Sequence, residues 1–255
     1  MVTLSIAKQT LEDMLRRKIL LILLIVAVAM IALGPSVGFL SPRESSAVLR
    51  SLGLAVILLA GLLITVLTGI QVIPTEIERR TVYTVLSKPV QRYEFVLGKF
   101  LGGLFTVFVM IASMGIVFLG VLRYQEGRFA PEMVQGVVMT FFQMTLLGAL
   151  AIFFSTFATP VVNFFLSFGL FIVGNMSAVT ESLLQNKNVA TRVIAGAVHY
   201  AIPNFGNFNI QNKLIHPQVV IKDMNVFIMQ NIAYALIYSA VLLLLAILVF
   251  DRREV

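Results

Sequence analysis

Six long apolar stretches separated by shorter polar segments dominate the sequence. They cover residues 19–40, 51–73, 98–122, 134–157, 160–180 and 230–250. About 20 apolar residues in a helix cross a hydrocarbon core of roughly 30 Å, so each stretch predicts a transmembrane helix. The first has a weak point at Gly34-Pro35. None carries an ionisable side chain in its central apolar part, which disfavours a proton-driven pump.

The first eighteen residues are patterned as an amphipathic helix. Its apolar stripe consists of Leu4, Ala7, Leu11, Met14 and Leu15, and its polar face of Gln9, Glu12, Asp13 and Arg16. We expect this helix, residues 1–18, to lie in the membrane interface before the first span. The alternative is a frayed tail with chance spacing. A cleaved signal peptide, suggested by small residues at 27–29, fits less well because the apolar run continues beyond them.

The segment 181–229 is too apolar and too regular for a disordered loop. Val189, Val193, Ala197 and Tyr200 form one helical stripe that Pro203 ends, and residues 218–229 are compatible with a second short helix. We expect short interfacial or re-entrant helices on the extracytoplasmic face before the last span. A plain external loop is the alternative.

The composition is typical of a membrane protein. Of 255 residues, 59% are hydrophobic and 12% are charged, which leaves more apolar surface than a soluble domain of this size can bury. The absence of cysteine excludes disulfides, thiolate metal sites and cysteine nucleophiles. The predicted fold class is therefore an all-α polytopic membrane protein, with residues 1–255 forming a single transmembrane domain.

The net charge of +7 is concentrated near the ends of the predicted spans. Basic residues collect on the cytoplasmic side of membrane proteins, so this charge predicts contact with the membrane surface and no nucleic-acid partner. The basic segments on one side contain Lys8, Arg16, Arg17, Lys18, Arg79, Arg80, Lys88, Arg92, Lys99, Arg252 and Arg253. The short loops on the other side contain Arg43, Arg50, Arg123 and Arg128. We therefore predict that both termini are cytoplasmic.

The segment between spans two and three is unusually charged. Seven of the nineteen residues at 76–94 carry charge: Glu76, Glu78, Arg79, Arg80, Lys88, Arg92 and Glu94. Thr75 is a suitable N-cap with Glu78 three residues later, and Pro89 breaks the helix before a second short helix that runs into span three. We expect a helical hairpin over 74–97 on the cytoplasmic face. An ordinary membrane-flanking loop is the alternative.

This segment resembles the signature of ABC transporter permeases of the type-2 exporter class. In that class E-x-E-x-G-T precedes L-L-S-x-P-x-S-R, and Gly-Lys opens the next span. The sequence has Glu76, Glu78, Thr81, Leu86, Ser87, Pro89, Arg92, Gly98 and Lys99 at those places. It has Arg80 where many members have Gly, and Gln91 where many have Ser. The ERRT version resembles a subgroup that includes permeases for nitrous-oxide reductase maturation, and the turn STFATPVVN and the stretch IPNFGNFNI extend the resemblance along the chain.

The resemblance implies a permease subunit of the inner membrane that pairs with a second copy or a homologue and with two ABC ATPase subunits. Its hairpin would be the coupling helix, seated in a groove of the ATPase. The implied coupling residues are Thr75, Glu76, Glu78, Arg79, Arg80, Thr81, Ser87, Pro89, Arg92, Gly98 and Lys99. ATP and Mg would be cofactors of the partner, with none on this chain. The cargo would move outward and be lipid-like, amphipathic or used in metalloenzyme maturation, with a periplasmic accessory protein as a further partner.

The sequence carries no recognisable catalytic motif. It lacks a G-x-x-x-x-G-K-[ST] phosphate loop, so ATP hydrolysis is expected on another chain. His199 and His216 lack the spacing of a metal site, and no hydrolase triad pattern occurs. We therefore expect a subunit that is not an enzyme and has no metal site.

Amide and hydroxyl side chains within the spans are candidates for lining a translocation route. They are Thr65, Thr68, Gln143, Asn163, Ser167 and Asn175. The alternative is that they form hydrogen bonds across neighbouring helices, as such groups commonly do in membranes. The mostly apolar character of spans two and five favours an amphipathic or lipid-like cargo over a small ion.

Two further functions stay open at this stage. A passive channel or facilitator is compatible with six spans without intramembrane charge, and it would conduct without nucleotide. A membrane scaffold or assembly factor would use the charged hairpin for docking and would move no solute.

Overall fold

The computed structural model shows a helical protein. It describes residues 2–38, 45–71, 91–127, 130–184, 192–193, 195–196, 202–210 and 223–251. Within these ranges the chain forms helices and no strand, which confirms the predicted all-helical class. The main helices are α1 (Val2–Leu15), α2 (Lys18–Gly38), α3 (Ser45–Gln71), α4 (Arg92–Glu126), α5 (Pro131–Ser155), α6 (Pro160–Asn175), α7 (Ser177–Leu184) and α8 (Met224–Asp251). A 3-10 turn occupies Gly206–Phe208.

Five helices in the described part of the chain are long and apolar enough to cross a membrane. They are α2, α3, α4, α5 and α8, and they correspond to predicted spans one to four and six. The fifth predicted span, 160–180, is interrupted: α6 has 16 residues and α7 begins after Met176. At 1.5 Å per residue α6 rises about 24 Å, less than a hydrocarbon core of about 30 Å. The count of six spans therefore stays a prediction.

The observed helices extend beyond the apolar stretches that predicted them. α3 begins at Ser45 and not at residue 51, and α8 begins at Met224 and not at residue 230. Hydropathy marks only the part of a helix that suits hydrocarbon, whereas helical hydrogen bonding continues through polar flanks. Residues 224–229, expected in the extracytoplasmic segment, therefore belong to the last helix.

α4 is the longest helix of the described chain, with 35 residues. It starts after Gln91, whose backbone N–H donates to the Glu94 carboxylate at 3.2 Å. It ends at Gly127, which adopts a left-handed conformation (φ 69°) and donates its N–H to the Arg123 carbonyl oxygen at 3.1 Å. The helix measures about 52 Å and exceeds the hydrocarbon thickness by roughly 20 Å. The predicted second hairpin helix and span three are therefore one continuous helix.

α3 and α5 form the centre of the bundle, and α2 and α8 lie at its periphery. Most side chains of α3 and α5 are buried, whereas α2 and α8 expose leucine, isoleucine and valine, as expected for contact with lipid. Glycines allow close helix approach: a Cβ on Gly53 would overlap the Phe118 ring, and one on Gly69 would lie 2.5 Å from the Ala151 Cβ. These contacts hold α3 against α4 and α5.

The two ends of the bundle hold different parts of the chain. The motif end, as we call it, holds the end of α3, the beginning of α4 and the end of α8, and α1 lies there against α4. The opposite end holds the beginning of α3 and the end of α4, which Arg50 and Glu126 join. The first and last described residues therefore share the motif end. The side of the membrane on which this end lies stays a prediction.

Candidate functional site

The predicted coupling residues fall into two groups. Arg92, Gly98 and Lys99 lie in the first turns of α4, at the motif end. The others lie outside the described residues and stay predictions: Thr75, Glu76, Glu78, Arg79, Arg80, Thr81, Ser87 and Pro89. The structure thus shows the exit of the predicted hairpin, where it enters the bundle.

Arg92 contacts the end of α8. Its Nη1 donates to the carbonyl oxygens of Phe250 at 3.1 Å and Asp251 at 2.8 Å, and its Nε lies 3.9 Å from the Asp251 carboxylate. A cation is stabilised beside the carbonyl oxygens near the C-terminus of a helix, which carries the negative end of the helix dipole. A residue predicted to contact the ATPase therefore binds the last helix of its own chain.

Aromatic packing reinforces this contact between α4 and α8. Phe95, one turn after Arg92, stacks on Phe250 with ring centroids 6.0 Å apart and 17° between the ring planes. Lys99 follows one turn later and is only 8% exposed. Its Nζ lies 5.6 Å from the centre of the Phe95 ring, which is within the range of a cation–π interaction. Beneath the hydrogen bonds of Arg92, the buried Phe95–Phe250 pair thus extends the contact between α4 and α8 toward the interior.

Gly98 and Gly102 form the surface of α4 on which α1 packs. A Cβ on Gly98 would lie 2.8 Å from the Ile6 Cβ. A Cβ on Gly102 would lie 2.5 Å from the Thr10 Cβ and 2.6 Å from the Ala7 carbonyl oxygen. Neither position accepts a larger residue without displacement of α1. Gly98, predicted as a coupling residue, therefore contacts α1 in this structure.

The buried face of α1 agrees in part with the predicted apolar stripe. Met14 is buried and three further members of the stripe are partly buried, whereas Leu4 is 71% exposed. Thr10, which lies outside the predicted stripe, is also buried. Thr10 tolerates burial because it is small and its hydroxyl donates to the Ile6 carbonyl oxygen at 2.8 Å. Leu4 is left outside the contact with α4. Its insertion into the membrane interface stays a prediction.

Gln143 and Asn175, both candidates for the translocation route, hold the segment 202–210 inside the bundle. Gln143 Nε2 donates to the carbonyl oxygen of Phe205 at 3.0 Å and to Asn175 Oδ1 at 3.2 Å. Asn175 Nδ2 donates in turn to the Phe171 carbonyl oxygen at 2.8 Å. The two side chains thus bridge α5, α6 and the segment before the last helix.

The segment 202–210 is packed as part of the core. Phe205, Phe208 and Ile210 are almost completely buried. The backbone N–H of Asn204 donates to the Tyr234 hydroxyl on α8 at 3.1 Å. Residues 202–210 therefore pack inside the bundle, and the interfacial or re-entrant helices expected within 181–229 stay a prediction. The predicted helical stripe over 189–200 lies largely outside the described residues.

Asn163 and Ser167 form a hydrogen-bond chain between α6 and α5. Asn163 Nδ2 donates to the Ala151 carbonyl oxygen at 2.9 Å, and Ser167 Oγ donates to Asn163 Oδ1 at 2.9 Å. Both side chains are completely buried. These are the cross-helix bonds that the alternative interpretation expected, and they fix the short connection between α5 and α6.

Thr65 and Thr68 line a pocket between α3, α4 and α5. The pocket encloses about 300 Å³, including the space at its mouth. Its wall contains one glycine from each helix: Gly69, Gly103 and Gly148. Thr68 Oγ1 donates to the Ile64 carbonyl oxygen at 2.7 Å, whereas the buried Thr65 hydroxyl has no hydrogen-bond partner in the described part of the chain. The six candidate residues thus lie in three pairs, and their part in a translocation route stays a prediction.

A buried ion pair at the opposite end was missed from the sequence. Arg50 Nε donates to Glu126 Oε1 at 2.8 Å and Arg50 Nη2 to Oε2 at 2.5 Å, with side-chain exposures of 16% and 8%. The sequence placed Arg50 in the 41–50 loop, yet it lies in the second turn of α3. Opposite charges at the ends of two adjacent antiparallel spans were the available signal. The ion pair therefore depends on how α3 and α4 pack.

No side-chain cluster for a metal was found. Among the residues that the structure describes, no group of three or more His, Asp or Glu side chains is placed to hold an ion. His199 and His216 lie outside them. The described contacts therefore consist of helix packing at small residues and of hydrogen bonds near helix ends.

Comparison with known proteins identifies the family. No curated protein is similar enough to this chain to count as a match. A family model described as "ABC-2 family transporter protein" matches residues 4–255, which is almost the whole chain and includes α1 and α8. The chain therefore belongs to the ABC-2 family of transporter proteins.

Proposed function

We propose that this ABC-2 permease subunit pairs with a second copy of itself and binds two ABC ATPase subunits, one per copy. Those partners bind ATP and Mg, and their hydrolysis of ATP drives cargo outward across the inner membrane. The match of the family model over residues 4–255 carries the proposal, because members of this family are membrane components of ABC transporters.

We propose that the hairpin at 74–97 is the surface that receives the ATPase. Two described features support this. The hairpin joins the end of α3 to the beginning of α4, and both helices contact α5 in the centre of the bundle. α4 is continuous from Arg92 to Glu126, so a displacement of its first turn is carried along its full length. Movement of the hairpin therefore reaches the membrane part of the chain through two helices.

The proposed cargo is amphipathic or lipid-like. The six polar candidates are mostly engaged in bonds within the chain, and the pocket beside Thr65 is bounded largely by apolar side chains and glycine. Such surroundings favour apolar groups over hydrated ions. The resemblance to the nitrous-oxide reductase subgroup adds a second candidate, a cargo used in metalloenzyme maturation, with a periplasmic accessory protein as receiver.

The decisive experiment is reversal of the acidic pair in the hairpin. Glu76→Lys/Glu78→Lys is expected to abolish co-purification of an ATPase, because the reversed charges would oppose binding in the docking groove. The permease itself is expected to remain folded. The matched control, Glu76→Asp/Glu78→Asp, keeps both charges and is expected to retain the partner. Undiminished ATPase binding after the reversal would refute the docking role.

Reconstitution separates this function from the two alternatives. Solute flux through vesicles that hold this chain alone, without nucleotide, would establish a passive facilitator. An ATPase that binds without any nucleotide-dependent change in the permease would establish a scaffold. The proposed function requires a nucleotide-dependent change that appears only when the ATPase is present.

A further inference from the structure

The contact between Arg92 and α8 joins two parts of the chain that are far apart in sequence. Arg92 lies at the exit of the hairpin, and the carbonyls it binds lie 158 and 159 residues later. α8 follows the segment 202–210 and ends the described chain at Asp251. No covalent connection near the motif end links α8 to the hairpin, so a displacement there reaches α8 only through packing and through this contact.

Arg92 binds the backbone at the end of the described part of α8. One guanidinium nitrogen is shared by two consecutive carbonyls, at 3.1 Å and 2.8 Å. A cation is favourable beside the carbonyls near a helix C-terminus. Arg92 also stands in the first turn of α4, so the positive end of one helix dipole meets the negative end of the other.

The contact has an exposed outer part and a buried inner part. The Arg92 side chain is 34% exposed and that of Asp251 is 72% exposed, so the charged pair alone contributes little to stability. The Phe95–Phe250 stack directly beneath it is buried. A weak, directional outer contact above an apolar pair is suited to set the position of α8 and is poorly suited to hold the bundle together.

We propose that Arg92 is a positioning residue that fastens the last turn of α8 to the first turn of α4, so that movement of the hairpin is transmitted to the last helix. This inference rests on the function proposed above, because it requires an ATPase that moves the hairpin. It assigns to Arg92 a role inside the permease, separate from contact with the ATPase.

The first experiment needs no ATPase. Hydrogen exchange is measured on the full chain in lipid discs for the unsubstituted protein, Arg92→Gln and Arg92→Lys. Arg92→Gln is expected to accelerate exchange in the last turn of α8 by roughly fivefold or more, since a frayed helix end loses protection. Arg92→Lys keeps the charge but replaces the planar guanidinium by an ammonium group. Its exchange rate in the last turn of α8 is expected to lie between those of the unsubstituted protein and Arg92→Gln. Arg123→Gln, an exposed arginine at the other end of α4, is the matched control and should leave α8 unchanged.

The second experiment tests transmission. The natural chain contains no cysteine, so Leu248→Cys on the exposed face of α8 is a unique label site. In the assembly with its ATPase, ATP is expected to change the rate of maleimide labelling at this site by about fivefold, within the usual range for coupled sites. Arg92→Gln should remove this response when it is normalised to the amount of bound ATPase and to the hydrolysis rate of the same sample, and Arg123→Gln should retain it.

The outcomes are distinguishable. Unchanged exchange at the end of α8 in Arg92→Gln, or an unchanged ATP response of the label, overturns the positioning role. No ATP response in the parent carrying Leu248→Cys and an intact Arg92 also overturns transmission to α8. Failure of the ATPase to bind defeats the proposed function instead, and it leaves the hydrogen-exchange result to show whether Arg92 holds α8.

Discussion

An arginine side chain makes a contact at each end of α4, and the two contacts differ in kind. At the opposite end, Arg50 on α3 binds both carboxylate oxygens of Glu126 and is largely buried. At the motif end, Arg92 on α4 itself binds two backbone carbonyls of α8 and remains partly exposed. One contact joins two formal charges, and the other joins a charge to a helix terminus.

The difference teaches which end of α4 is fixed and which can yield. A buried, two-pronged ion pair is costly to separate because each charge would be left without compensation. A partly exposed cap can exchange its carbonyls for water at small cost. The motif end is therefore held by the weaker of the two polar contacts, and substitutions can test this asymmetry.

The largest effect is expected from Glu126→Gln. The change removes the carboxylate that binds the largely buried guanidinium of Arg50, so the free energy of unfolding should fall by about 2–3 kcal/mol. Thermal unfolding in detergent measures it, and Asp13→Asn, an exposed acid on α1, is the control. A melting temperature equal to that of the control would show that this pair is not what fixes the end of α4.

A smaller effect is expected from Gly102→Ala at the motif end. The new Cβ would meet Thr10 and the Ala7 carbonyl oxygen at about 2.5 Å, so α1 must shift, at a cost of about 1–3 kcal/mol. Gly120→Ala on the same helix has open space and should be neutral. Labelling of Thr10→Cys, otherwise 1% exposed, measures the shift of α1 directly. Equal labelling in both alanine variants would contradict the packing of α1 on α4.

Phe95→Leu should weaken the inner part of the motif-end contact. It removes the stack on Phe250 and the ring beneath Lys99, and about 1–1.5 kcal/mol of stability should be lost. Phe105→Leu, on an exposed position of α4, is the matched control and should cost less. The difference between the two melting temperatures is the quantity to compare, and a larger loss for Phe105→Leu would argue against the buried stack.

The smallest effect is expected from Asp251→Asn, which makes the same acid-to-amide change as Glu126→Gln. Its carboxylate is 72% exposed and 3.9 Å from Arg92, so unfolding should change by less than about 0.5 kcal/mol. The carbonyl that binds Arg92 is retained. A loss as large as that of Glu126→Gln would mean that the carboxylate, and not the helix terminus, is the partner of Arg92.

The sequence predicted the parts of the fold that depend on local pattern. Apolar length located five helices long enough to cross a membrane, and Pro160 marks the predicted start of α6. The family was indicated by the motif around Pro89 and was confirmed by the match to residues 4–255. These features are encoded within a few residues of where they appear.

Contacts between distant residues were not predicted. Arg50 and Glu126 are 76 residues apart, and Arg92 binds carbonyls more than 150 residues away, so no local pattern could pair them. The contact of α1 with α4 was not predicted for a similar reason: apolar periodicity placed Leu4 on the stripe and left out Thr10, which packs on Gly102 of α4. In each case the partner helix decides, and its surface is known only after packing.

The unbroken length of α4 gives the bundle a lever. A straight rod of about 52 Å that tilts by roughly 5° about one end displaces its other end by about 4.5 Å. With the end at Arg50 and Glu126 held fixed, the displacement is largest beside Arg92 and falls to about half at the middle of the helix. In the proposed assembly, closure of the ATPase on nucleotide would move the motif end of α4 and, through one stiff helix, the part within the membrane.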